Sequence, residues 1–306
     1  MRAVRCTAGG VETVTVPAPE GPGLRLRVTS AGICGSDLHA VRSGPLPFVL
    51  GHEFGGRLDD GRLVAVHPMV PCGTCAACER GAEQLCPETR RTFYGGSRDG
   101  GLSELVLVDP RCIVPVPAEV DEKAVALVEP TAVAVHAVER VAPSAGERAL
   151  VLGAGSIGLL CAAVLLDRGV SVDIAARHPH QAAAARAVGA NVEIGRDYSL
   201  VMDAAGTADS AKESVRCTEP GGRIGLVALP WQALPYGMGL VLKEISVIPA
   251  AFSTHKDFVA AADLLGRCPE LVEALVTHRF ALDDAAEAFR VAGDRSGGAI
   301  KVHLHP

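Results

Sequence analysis

The sequence predicts an α/β protein in which a β-rich lobe is followed by a doubly wound parallel sheet. Three observations point there. The first 118 residues carry short apolar runs broken by Gly and Pro. From Asp121 onward, Ala-rich helical stretches alternate with Val/Ile/Leu runs. One of those junctions holds the pattern Gly153-Ala-Gly155-Ser156-Ile157-Gly158. At 306 residues the chain is long for one hydrophobic core, so two domains are expected.

In the lobe, Leu24 to Val28, Arg62 to Val66, Leu105 to Val108 and Ile113 to Val116 read as strands. Beyond it the spacing predicts helices over 122–141, 156–168 and 179–188, with strands at 148–152, 170–176, 199–203, 222–228 and 244–249. After Phe252 a helix over 256–265, a strand at 278–281, a helix over 283–292 and a closing strand at 300–304 follow. One connection is too short for a parallel crossover, which takes a dozen residues or more. Only about five residues join the stretch Asn191 to Ile194 to the next strand. In the usual strand order the two strands lie about 14 Å apart, and the chain must also return to the far end of the sheet. Five residues span about 17 Å fully stretched. The connecting helix is therefore expected to be missing and the outer strand vestigial, leaving a shortened sheet edge and a more open adenine pocket.

Twenty-nine Lys plus Arg against 35 Asp plus Glu give a net charge of −6, and no dense basic run is present, which argues against nucleic acid or an anionic membrane as partner. The stretch Met1 to Gly10 lacks the apolar core of a secretory signal, and the apolar runs break before a membrane-spanning length. A cytoplasmic protein is expected.

The run Ala149 to Leu152 places a buried strand before G-x-G-x-x-G, and a helix continues from Leu159. Gly153 permits the tight turn, Gly155 admits a pyrophosphate close to backbone N–H groups, and Gly158 lets the helix pack on the strand; Ser156 and Ile157 lie between them. This is a Rossmann dinucleotide loop. The next strand ends in Ala176-Arg177-His178, without the carboxylate that would bind the ribose 2′-hydroxyl of NAD and with a guanidinium that can grip a 2′-phosphate. NADP(H) is favoured over NAD(H), and His178 is a candidate contact to the ribose or its phosphate. The competing reading gives the acid role to Asp173, three residues before the strand end.

Ten cysteines invite a disulfide reading, but Cys72, Cys75, Cys78 and Cys86 crowd into one short lobe, 71–87, where thiolates at this spacing can close a tetrahedron around Zn²⁺. Four thiolates leave no position for chemistry, so that zinc is structural. A second, dispersed set joins Cys34 in GICGSDLH, His52 and Glu53 in GHEFGG, and Glu129 in VEPTAVAVHA. One thiolate, one imidazole and carboxylates make a mixed site able to keep a position open.

These motifs, with the four-cysteine lobe, DGGLSELV, GAGSIG, DAAG at 203–206, KEISVI at 243–248 and FALDDAAEAFR, make the sequence similar to zinc-dependent medium-chain alcohol and polyol dehydrogenases, the group containing sorbitol and threonine dehydrogenases. The likeness runs over nearly the whole chain. It implies a GroES-like catalytic domain built from 1–118 and 253–306, a Rossmann domain over 119–252, and a homodimer or homotetramer. It makes Cys34 and His52 zinc ligands, Glu53 a ligand that exchanges with water, and Glu129 either the remaining ligand or a residue holding a water. Asp37 would stand behind the His52 ring or support the loop. Ser36 matches the hydroxyl beside the substrate oxygen and His39 the outer end of a proton relay; Ala204 falls among the cofactor contacts. The implied reaction moves hydride between the nicotinamide and a secondary alcohol or carbonyl, with Zn²⁺ as Lewis acid and Ser36 passing the hydroxyl proton onward to the nicotinamide ribose and His39, which carry it to solvent.

Two other readings share these residues: an NAD-dependent polyol or sugar dehydrogenase, and a catalytically silent zinc- and nucleotide-binding scaffold or redox sensor. Retention of Cys34, His52, Glu53, Ser36 and His39 speaks against the second. Phe48, Phe93, Tyr94 and Trp231 suit either the substrate pocket or the core, and His67, His136, His255 and His278 suit packing or surface.

Overall fold

The computed structural model describes residues 1–294 and 296–306. The chain forms two compact units, Met1–Ala132 with Thr254–Pro306, and Val133–Ser253. In the first, β1 (Arg2–Thr7) and β2 (Gly10–Thr15) pair as an antiparallel hairpin. There follow β3 (Leu24–Gly32), α1 (Gly35–Ala40), β4 (Glu53–Leu58), β5 (Leu63–Val66), the short helix α2 (Ala76–Glu79), β6 (Leu105–Val108) and β7 (Ile113–Pro115). The helix expected over 122–141 is shorter: a 3₁₀ turn at Val125–Leu127 precedes α3 (Val128–Val141), and Val125 to Val128 are fully buried.

The division of the chain also differs from the expected boundary at 118/119. Residues 119–132 stay with the first unit because side chains of its strands hold them there. Thr29 Oγ1 donates to the Glu122 carbonyl at 2.7 Å, and Arg57 Nε reaches Glu122 Oε2 at 2.7 Å.

The second unit carries β8 (Arg148–Leu152), α4 (Ser156–Asp167), β9 (Ser171–Ala175), α5 (Pro179–Ala187), β10 (Tyr198–Asp203), α6 (Ala208–Cys217), β11 (Thr218–Leu226), α7 (Gly237–Leu242) and β12 (Ser246–Pro249). Helix α6 escapes the apolar spacing because its buried face is built from Ser210, Ala211, Ser214 and Val215. The five strands pair in parallel in the order β12-β11-β10-β8-β9, a doubly wound sheet that lacks its outermost strand.

That missing edge is the one anticipated. Among the described residues 190–200 there is no helix, and the outer strand is reduced to one bridge between Asn191 and Asp173. The chain runs directly to β10, and a polar network fastens the link. Asp173, buried in the middle of β9, accepts from Tyr198 Oη at 2.6 Å and Asn191 Nδ2 at 3.1 Å, and forms an ion pair with Arg148; Tyr198 Oη also accepts the Gly195 N–H at 2.6 Å.

The chain then returns to the first unit as α8 (His255–Arg267), α9 (Glu270–Leu275), β13 (Val276–Ala281), α10 (Ala285–Gly293) and β14 (Lys301–His305). Here β14 runs antiparallel to β3, with His303 opposite Gly32, and completes a seven-stranded sheet in the order β13-β14-β3-β4-β5-β7, with β6 also on β3. The closing strand is thereby set beside the strand that leads into Cys34.

Candidate functional site

Cys34 caps α1, and Asp37 on the first turn of that helix ties the local structure together. Its Oδ2 accepts the Cys34 N–H at 2.9 Å, and its Oδ1 stands 3.3 Å from His52 Nδ1. With Nδ1 so engaged, His52 presents Nε2. Strand β4 begins at Glu53, and Gly32 lies opposite it in register. A Cβ at Gly32 would stand 2.1 Å from Glu53 Oε2, so only glycine leaves room for the carboxylate.

The outcome is that ligand atoms of Cys34, His52 and Glu53 all lie within 4.8 Å of one another, with His52 and Glu53 buried. Burial alone would lower the proton affinity of His52, but Asp37 and Cys34 outweigh it and hold the imidazole well above its ordinary range. A shift of this kind, produced by named charged neighbours, marks a candidate functional site. Glu129, at the start of α3, is buried in the same field but outside the three-residue cluster, and burial pushes its carboxyl up to about 7 against the pull of His52.

Sequence reading missed one residue here. Lys301, on β14, is buried and places Nζ 2.6 Å from both Glu53 oxygens and 3.2 Å from the Ile33 carbonyl. The only available signal was its place in the Ile300-Lys-Val tail.

Ser36 is half-buried and His39 exposed, three residues apart and so on one face of α1. The Phe93 ring lies 5.4 Å from that of His52. Tyr94 instead belongs to the core, its hydroxyl accepting the Asp109 N–H at 2.9 Å, and Trp231 is 60% exposed.

Cys72, Cys75, Cys78 and Cys86 form a second cluster within 4.8 Å, none in a disulfide. The Cys75–Cys78 and Cys72–Cys78 sulfurs are 3.6 and 4.0 Å apart. Sulfurs at the corners of a tetrahedron about Zn²⁺ stand about 3.8 Å apart, given Zn–S bonds of about 2.3 Å. Gly73 and Gly81 turn the loop at φ +80° and +73°. Backbone N–H groups of Thr74 and Cys75 bring the Cys72 thiol down to about 6, favouring the thiolate that a metal needs.

In the second unit Gly153 takes φ +103°, and a Cβ on Gly158 would stand 1.8 Å from the Gly153 carbonyl oxygen. Gly155, by contrast, faces open space: it caps α4 with no side chain on the first N–H groups and no acid in the first turn. An anion placed there would be met by backbone N–H groups alone. Ala204 flanks the loop, its Cβ 3.3 Å from where a Gly158 side chain would begin. Past β9, Ala176 is half-buried and Arg177 exposed. The Gln181 carboxamide accepts the N–H groups of Arg177 and His178 at 3.0 and 3.3 Å, and the rings of His178 and His180 stack at 5.4 Å. Asp173 is withdrawn into the edge network and its oxygens are already taken.

A mixed thiolate, imidazole and carboxylate cluster on a β-rich unit, a four-thiolate lobe, and a glycine loop on a parallel sheet define a zinc-type, nicotinamide-dependent dehydrogenase. Residues 22–118 match the alcohol dehydrogenase GroES-like domain, and residues 122–304 match the glucose dehydrogenase C-terminus. The L-galactonate-5-dehydrogenase of Escherichia coli K12 is 32% identical, over 90% of this chain and 89% of its own length. The L-idonate 5-dehydrogenase (NAD(P)(+)) of the same organism is 29% identical, over 98% of this chain and 97% of its own. A crystal structure described as a zinc-binding dehydrogenase from Sinorhizobium meliloti 1021, bound to NADP, superposes with a TM-score of 0.90 at 26% identity, covering 100% of this chain and 99% of that one. The chain belongs to the zinc-dependent medium-chain alcohol and polyol dehydrogenase family, oxidoreductases acting on CH–OH groups with a nicotinamide cofactor. Among the described residues, no helix is long and apolar enough to cross a membrane.

Proposed function

We propose that the protein moves hydride between NADP(H) and a secondary alcohol or its carbonyl, with Cys34, His52 and Glu53 holding a catalytic zinc. The observation that carries this reading is the convergence of those three ligand atoms within 4.8 Å, with Asp37 behind His52. The bound metal supplies Lewis acidity toward the substrate oxygen, and the nicotinamide supplies or takes up the hydride. The chain's own groups do the rest. Asp37 keeps His52 in one tautomer, Glu129 orients a polar group within the cluster's field, and Ser36 accepts the substrate hydroxyl proton as it gives up its own, which leaves for solvent by way of His39 at the exposed end of α1. Gly153, Gly155, Ser156, Ile157, Gly158 and Ala204 seat the dinucleotide, and Cys72, Cys75, Cys78 and Cys86 hold a structural zinc.

The preference for NADP(H) is supported by the Arg177-His178 pair at the start of α5, whose first turn carries no acid, and by the burial of Asp173 in another role. The names of the L-idonate and L-galactonate relatives favour a second reading of the substrate, a polyol or sugar acid rather than a simple alcohol. A cytoplasmic homodimer or homotetramer fits a family of this kind. The cofactor assignment is tested by comparing NADPH with NADH over a panel of alcohols and carbonyls. The wild type should favour NADPH, and Arg177→Ala should raise KM for NADPH about tenfold with little change for NADH, the loss of one charge-assisted contact. A strong NADH preference that Arg177→Ala leaves untouched contradicts it.

A further inference from the structure

We propose that Lys301 is a positioning residue that keeps Glu53 a displaceable partner of the metal rather than a fixed one; this rests on the metal reading of Cys34, His52 and Glu53. Lys301 Nζ lies 2.6 Å from Oε1 and 2.6 Å from Oε2 of Glu53, and 3.2 Å from the Ile33 carbonyl. Its three N–H donors are thus all engaged, and both side chains are buried, at 3% and 1% exposure. Neither ion can swing away without leaving the other charged and unpaired in a dry environment.

The same carboxylate has an oxygen within 4.8 Å of the ligand atoms of Cys34 and His52. With a metal bound it would face two cations, and the ammonium already occupies one lone pair on each oxygen. Retreat on the other side is closed, because Glu53 Oε2 is pressed against Gly32, where even a Cβ would clash. The topology makes this arrangement specific. Strand β14 pairs with β3 so that His303 faces Gly32 and the Val302 carbonyl accepts the Ile33 N–H, which sets Lys301 against the end of β3 that leads to Cys34. With Lys301 in place, Glu53 can yield its position to a substrate oxygen. Without it, nothing opposes full carboxylate coordination.

The test replaces zinc by cobalt(II), whose visible absorption reports coordination number, and uses imidazole as the competing ligand. Lys301→Met should take up cobalt with the weaker, higher-coordinate absorption. It should also lose apparent imidazole affinity about tenfold and release cobalt to a chelator about tenfold more slowly, the range expected for residues behind metal ligands. Adding Glu53→Gln to Lys301→Met should restore the wild-type imidazole response. Because Lys301→Met leaves a buried carboxylate unpaired in the apo chain, Lys301→Gln, which still donates to Glu53, is run in parallel. It should shift the imidazole titration in the same direction by about threefold, the smaller effect of losing charge but keeping a donor. A Lys301→Met titration indistinguishable from wild type, or one that Glu53→Gln does not reverse, overturns the role of Lys301 alone. A wild type that takes up cobalt only at the four-cysteine lobe overturns the metal reading and this inference with it.

Discussion

Asp37 shows how one side chain can order two others that lie far apart in sequence. It fixes the Cys34 backbone and the His52 ring together. Asp37→Ala should lower turnover and metal retention 10- to 100-fold while the fold survives, as for carboxylates behind metal-binding imidazoles; melting curves beside kinetics separate the two effects. His303 carries a pH dependence. Burial, then Lys301, bring its imidazole down to about 3, with His305 and Arg279 also facing it, while Lys123 O and Ser30 Oγ lie near its Nδ1. As pH falls below about 6.5 the unfolded chain binds a proton that the folded chain refuses, so stability drops progressively toward pH 3. Urea titrations should show this slope flattened in His303→Asn, and an equal slope in both proteins would contradict it. The four-cysteine lobe was legible as a cluster from its spacing, whereas Cys34, His52 and Glu53, which lie in two separate motifs, were joined as candidates only by the family resemblance. Lys301 was not legible, because 248 positions separate it from Glu53 and a lysine near a chain end reads as surface. Only the pairing of β14 with β3 reveals it.

At the scale of elements, the shortened sheet edge was predictable from chain length alone, since five residues cannot build a crossover. What replaces the crossover was not, because it depends on side chains from three strands. Arg148 opens β8, Asp173 sits in mid-β9 and Tyr198 opens β10, and they converge on a link too short to hold itself. Tyr198→Phe should cost about 1 kcal/mol, one buried hydrogen bond. Asp173→Ala should cost more, about 3 kcal/mol, because it orphans several donors at once. Chemical denaturation measures both, and a cost for Asp173→Ala no greater than for Tyr198→Phe would show that the network is not what closes the edge. Helix α6 went unread for a different reason. Its inner face is hydroxyl-bearing and small, with Ser210 donating to Asp203 and Lys243 Nζ donating to the carbonyls of Val215, Arg216 and Thr218 at its end, so capping rather than an apolar stripe defines it.

Over the whole molecule, the two compact units divide the candidate chemistry, one gathering both clusters of candidate metal ligands and the other the glycine loop. That the first unit takes residues from both ends of the chain explains why its boundaries were harder to place than its motifs. Within 119–132, Glu122 is tied to it by Thr29 and Arg57, contacts that no local pattern announces. Two metal ions per chain are expected, one cation for chemistry and one for the lobe, and the expectation is separable. Counting zinc per chain by elemental analysis in wild type, Cys34→Ser and Cys72→Ser tests it most directly. About two zinc are predicted for the wild type, and about one in each variant, with alcohol oxidation abolished in Cys34→Ser although the chain still folds. A Cys34→Ser protein that keeps both metals, or keeps its turnover, would contradict it.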